Sequence, residues 1–105
     1  EWEEEAVAPM PTARLYVRTA VLDGKLYAAG GLSEAENFAS SNLVERYDFA
    51  TKSSEAVAPM EEARFDLAVA VLDGTLYAVG GANDDDDGAL SSVERYDPAL
   101  DAWEA

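Results

Sequence analysis

AVLDGKLYAAGG at residues 20–31 returns as AVLDGTLYAVGG at residues 70–81, an offset of 50. Working outward, EAVAPM at 5–10 returns at 55–60 by the same offset, whereas VERYD at 44–48 returns at 93–97 by 49. One residue is thus lost between the glycine pair and VERYD, which marks that stretch as a loop. Each quoted copy holds two apolar runs around Asp-Gly, a dipeptide that tolerates positive φ and suits a two-residue hairpin turn. Repeats of this period are units that bury their faces only by stacking on neighbours, and roughly three or more are needed for stability. This chain carries two.

Within each unit the pattern predicts four short strands. The first is Leu15–Leu22 and Phe65–Leu72, apolar at nearly every position, as for a strand covered on both faces. The second is Lys25–Gly30 and Thr75–Gly80. Gly30-Gly31 and Gly80-Gly81 then mark a backbone that takes positive φ or closely approaches another segment. Variable loops follow at 32–42 and 82–91. The third strand is Leu43–Tyr47 and Ser92–Tyr96, closed by a turn at Asp48 or Asp97-Pro98. The fourth occurs three times, at Trp2–Ala8, Ser53–Ala58 and Asp101–Ala105. No segment has a sustained helical apolar period, so the chain is read as all-β.

The 105 residues have the length of one small domain, and 49% apolar content can fill a core. With no cysteine or histidine, disulfides, thiolate or imidazole zinc sites and His-based triads are excluded within this chain. No membrane span or signal peptide is legible, and a soluble, cytoplasmic protein is expected. The chain opens on Glu1 without methionine, as an excised segment or processed product would. Its formal charge of −15, from 22 acids against 7 bases, repels nucleic acid and anionic membranes. An acidic, lysine-poor surface of this kind resembles that of proteins from salt-loving organisms, the alternative being solubility through net charge. Molar salt shortens the screening length to about 3 Å, so the melting temperature in about 2 M salt is expected to exceed that in dilute buffer. An unchanged or lower midpoint would contradict this.

The order PM…AR, apolar strand, DG-LY-A-GG, variable loop, VERYDP and downstream Trp resembles the kelch repeat over essentially the whole chain. The resemblance implies β-propeller blades: a kelch unit at 9–58, a second at 59–105, and an overlapping outer strand at 1–8. It assigns structural roles to Gly30, Gly31, Gly80, Gly81, Tyr47, Tyr96 and Trp103, and a protein-recognition function without cofactor. Ser54 stands where the first unit should carry the tryptophan that Trp103 supplies in the second, and Trp2 is two residues out of place. The resemblance also puts Arg14 and Arg64 just before the innermost strand, near the channel mouth, where a ring of guanidinium groups would bind carboxylates of an acidic peptide or phosphates. The alternative is that both pair with neighbouring acids such as Glu62 and hold the blades together. Arg46 and Arg95, flanked by Glu45 and Glu94, are read as structural.

Two blades cannot close a propeller, which typically has 4–8, so closure by oligomerisation is expected. Trp103-Glu104-Ala105 aligns with Ser54-Glu55-Ala56, so the residues due next are Val-Ala-Pro-Met, which stand at Val7–Met10. Ala105 of one copy would meet Val7 of the next, giving a homotrimer with six blades; a dimer of four blades is the rival. Catalysis has little to work with: no activated nucleophile or tuned base is evident, and paired carboxylates arise by chance among so many acids. The run Asn83–Gly88 invites a calcium reading but lacks the spacing of a dedicated loop. It is read as a solvated loop tip, and no metal is expected.

Overall fold

The computed structural model describes residues 13–83 and 88–105. Thirteen strands are present in this part: β1 (Arg14–Leu15), β2 (Arg18–Leu22), β3 (Lys25–Ala29), β4 (Leu32–Ser33), β5 (Ala39–Ser40), β6 (Val44–Asp48), β7 (Ser53–Val57), β8 (Ala68–Leu72), β9 (Thr75–Val79), β10 (Ala82–Asn83), β11 (Gly88–Ala89), β12 (Val93–Asp97) and β13 (Ala102–Glu104). They form two four-stranded antiparallel sheets, β2-β3-β6-β7 and β8-β9-β12-β13, with two small ribbons at the loops. A 3-10 turn, Glu34–Glu36, interrupts the first variable loop. The expected all-β pair of four-stranded blades is therefore present. The outer strand expected at 1–8, with Trp2, lies outside the described residues.

Each sheet begins with a β2-β3 or β8-β9 hairpin whose turn is Asp-Gly with both residues left-handed: Asp23 and Gly24 at φ 52° and 75°, Asp73 and Gly74 at 52° and 75°. Two consecutive positive φ values give the turn whose twist matches that of the strands it joins. The first strand of each unit is shorter than expected. Tyr16 (φ 57°) and Asp66 (φ 56°) break the apolar runs. Beyond the break the chain leaves its sheet: β1 pairs with β4, and Phe65 bridges Ala82. Apolarity alone cannot show a left-handed residue inside a strand-like run.

Because alternate strand residues face opposite ways, each sheet has a back face and a front face. The back of the first sheet carries Ala20, Leu22, Tyr27, Ala29, Val44 and Val57, and the front of the second carries Val69, Leu76, Ala78, Tyr96 and Trp103. Those two faces, with Met60 and Leu67 from the connection, are the hydrophobic core. The core is thus a seam between sheets, and the inner strands β2 and β8 lie against each other along it. The expectation that each first strand is covered on both faces fails here: β2 alternates in burial and β8 is mostly exposed.

Candidate interaction site at the seam and loop face

Each glycine pair turns the chain out of its second strand with φ between 65° and 100°. Space is as restrictive as conformation. A Cβ on Gly30 would collide with the Arg64 carbonyl oxygen, one on Gly31 would come to 2.6 Å from the Leu15 carbonyl, and one on Gly81 to 2.8 Å from that of Phe65. The Gly31 amide donates to the same Arg64 carbonyl at 2.7 Å. Gly30 therefore lets the second unit approach the first, whereas Gly31 and Gly81 pack within their own units, against Leu15 and Val17 and against Phe65 and Leu67.

That approach seats the arginines. The Arg14 guanidinium is enclosed, donating to the carbonyls of Gly30 (2.6 Å), Leu43 (2.8 Å) and Ala28 (3.2 Å) and to Glu45 Oε1 (3.0 Å). Arg64 repeats the arrangement with Gly80 and Ser92 carbonyls at 2.8 and 3.1 Å, Ser92 Oγ at 3.0 Å, Glu94 at 3.1 Å and Glu62 at 3.3 Å. Glu94 also accepts the backbone amides of Glu61 (2.6 Å) and Glu62 (2.9 Å), pinning the turn after Met60. Both arginine side chains are fully enclosed. Burial holds the Arg14 pKa below its ordinary value, opposed by the charge and hydrogen bond of Glu45. Neither guanidinium is exposed at the surface; each ties strand ends, a turn and a strand glutamate together.

Arg46 and Arg95 pair across strands with Glu55 (2.6 Å) and Glu104 (2.7 Å), their register partners, and not with the adjacent Glu45 and Glu94. Neighbours along a strand point to opposite faces, so Glu45 and Glu94 were free to serve the buried arginines. Arg46 also donates to the Tyr27 hydroxyl at 3.2 Å, and that hydrogen bond, ahead of the one to Glu55, raises its pKa.

The seam itself is closed by a clamp on Ala58. Its amide donates to Asp101 Oδ1 at 2.9 Å, and its carbonyl accepts Trp103 Nε1 at 2.8 Å. Asp101 Oδ1 also receives the Tyr96 hydroxyl at 2.7 Å. These two bonds, the backbone one first, hold the Asp101 carboxyl below its usual pKa, while burial, then the bond to Asp101, raises that of Tyr96. Tyr96 packs on Trp103 with centroids 5.1 Å apart and on Tyr27 of the first sheet at 5.7 Å.

The registers Tyr47↔Ser54 and Tyr96↔Trp103 are equivalent, so Ser54 does occupy the tryptophan position. In the first sheet Tyr47 instead packs edge-on to Phe49 at 5.0 Å. The residue equivalent to Asp101 is Lys52, which keeps its positive φ of 58°, so the first sheet has neither half of the clamp. We expect Ser54→Trp to stabilise by about 1–2 kcal/mol through added aromatic burial, read as a higher urea midpoint. A lower midpoint would mean that the front of the first sheet has no room for an indole.

No group of carboxylates able to hold a metal ion occurs among the described residues, of which Asp84–Asp87 are not part. No helix among the described residues is long and apolar enough to cross a membrane.

Comparison with known proteins agrees with this architecture. The kelch motif model matches residues 13–61 and again 63–105. Kelch-like protein 36 of Bos taurus is 42% identical over 105 residues, covering 98% of this chain and 16% of that protein. The solved structure titled "Structure of YjhT" superposes with a TM-score of 0.81 at 19% identity, covering 93% of this chain and 39% of that one. The chain thus spans well under half the length of either. With two consecutive motif matches, antiparallel four-stranded sheets stacked back to front, and glycine pairs at the matching strand ends, the chain belongs to the kelch-repeat family, as two adjacent blades of a β-propeller.

Proposed function

We propose that this chain is a non-enzymatic protein-interaction scaffold in which three copies complete a six-bladed ring. One comparison carries the reading. Ala29, Val44 and Leu22 on the back of the first blade are 1%, 0% and 3% exposed, while their repeat equivalents Val79, Val93 and Leu72 on the back of the second are 40%, 43% and 62% exposed. The same sheet positions differ because the first blade has a neighbour on that side. The back of the second blade therefore asks for a blade front, and the front of the first blade, in another copy, is the surface of that shape within this sequence. A second copy that lays its first-blade front on this open back makes a head-to-tail contact, and head-to-tail contacts that close give rings.

The enclosed arginines favour this scaffold over a carboxylate-binding ring built on Arg14 and Arg64. Substituting the exposed apolar positions tests it: Val79→Lys with Val93→Lys should reduce the assembly to single chains while leaving the β-sheet circular dichroism in place. Retention of the wild-type mass would oppose the reading, because the open back face would then not be the contact.

A further inference from the structure

The lysines of the chain, Lys25 and Lys52, both stand where the two repeats disagree in charge. On the back of the first blade Lys25 pairs with Asp48 at 4.0 Å. The second blade has Thr75 in that place, and Asp97, the equivalent of Asp48, makes no ion pair among the described residues. On the front edge the exchange runs the other way. The second blade carries the acid Asp101 there and the first carries Lys52, both left-handed at φ 51° and 58°.

The seam inside the chain shows what that front-edge position faces. Asp101 reaches the preceding blade at the Ala58 amide, 2.9 Å away, and accepts the Tyr96 hydroxyl, whose ring lies 5.7 Å from that of Tyr27. The Tyr27 hydroxyl in turn accepts Arg46 at 3.2 Å, and the Arg46 charge acts on Asp101. Arg46 therefore stands among acids, with Glu55 at 2.6 Å on its own blade and Asp101 across the seam.

The open back of the second blade repeats the Arg46–Glu55 pair as Arg95–Glu104, at 2.7 Å. Both line one open pocket with Thr75, Asp97 and Leu100, and Leu100 is 74% exposed. Acids outnumber bases in this pocket. An aspartate arriving from the next blade front would add repulsion, whereas a lysine neutralises the cluster, and Leu100 offers its methylene stem an apolar wall. The loss of a cation at position 75 and the gain of one at position 52 thus compensate each other on two surfaces that do not meet within one chain. The inner end of the seam carries no such signal, because Arg18 and Asp66, paired within the chain, have Ala68 and Tyr16 as their equivalents.

We propose that Lys52 of one copy enters this pocket of the next, pairs with Glu104 and Asp97, and so determines which blade front the open back accepts. A first-blade front fits, and a second-blade front, which carries Asp101, is refused. This rests on the ring reading and deepens it by naming the residue that each copy contributes to its neighbour's pocket.

Sedimentation equilibrium in dilute buffer tests it with three variants. Lys52→Asp and Thr75→Lys each install the residue type that holds the equivalent position in the other repeat, so both suit the fold. Lys52→Asp should raise the concentration at half assembly by about tenfold, the loss of one charge pair. Lys52→Asp/Thr75→Lys, which copies the charges of the internal seam, should return it to near the wild-type value. Lys52→Asp/Glu36→Gln has the same net charge as that double variant but places its second change on the loop face, and it should stay weak. Three-chain assembly unmoved by Lys52→Asp, or recovered equally by the Glu36→Gln control, overturns the lysine contact and leaves the ring standing. A wild-type mass of one chain at every concentration, in dilute buffer and in salt, overturns both.

Discussion

Arg64→Met should cost about 3–5 kcal/mol, because it strands the buried Glu94 carboxylate without its cation. The substitution keeps much of the side-chain volume, so the loss reports charge and hydrogen bonding more than a cavity. Four partners besides Glu94 also lose a donor: the Gly80 and Ser92 carbonyls, Ser92 Oγ and Glu62. The urea midpoint of the variant is the measurement, and the double variant Arg64→Met/Glu94→Gln should recover part of the loss by removing the unpaired charge. A midpoint within error of wild type for Arg64→Met would show that the guanidinium is dispensable to the fold, and would return it to consideration as a ligand-binding group.

The second large effect is expected at Gly30. Gly30→Ala must push the Arg64 carbonyl away, which breaks the Gly31 amide bond to that oxygen and disturbs the Gly30 carbonyl that Arg14 holds. A cost of about 3 kcal/mol or more follows from combining left-handed strain with a backbone clash. Gly24→Ala is the matched control. Gly24 has nearly the same φ, 75° against 71°, but nothing lies within 4 Å of its added Cβ, so only the strain of about 1–2 kcal/mol remains. Equal losses at the two positions, read from thermal or urea melts, would refute the claim that close approach of the second blade is what demands glycine at position 30.

Much of this was legible in the residues, and the places where it was not share a cause. The Asp-Gly hairpins, the glycine pairs and the alignment of Ser54 with Trp103 depend on local chemistry repeated at a fixed offset, so each copy can be read against the other. The left-handed breaks at Tyr16 and Asp66 carry no such mark, because tyrosine does not favour that conformation and Asp66, which tolerates it, stands without a following glycine inside an apolar run. Glu45 and Glu94 recur together with Arg14 and Arg64, a correlation that could have paired them; adjacency to Arg46 and Arg95 along the strand pointed elsewhere. The Asp101 clamp had no counterpart to announce it, since Lys52 holds that position in the first unit. What decides each missed feature is a contact between segments distant in sequence.

The most direct test of the ring is the mass of the chain in solution, by native mass spectrometry or light scattering, in dilute buffer and in about 2 M salt, where screening relieves repulsion between copies. The account predicts a particle of three chains, more persistent at high salt. A stable particle of one chain in both conditions would contradict it.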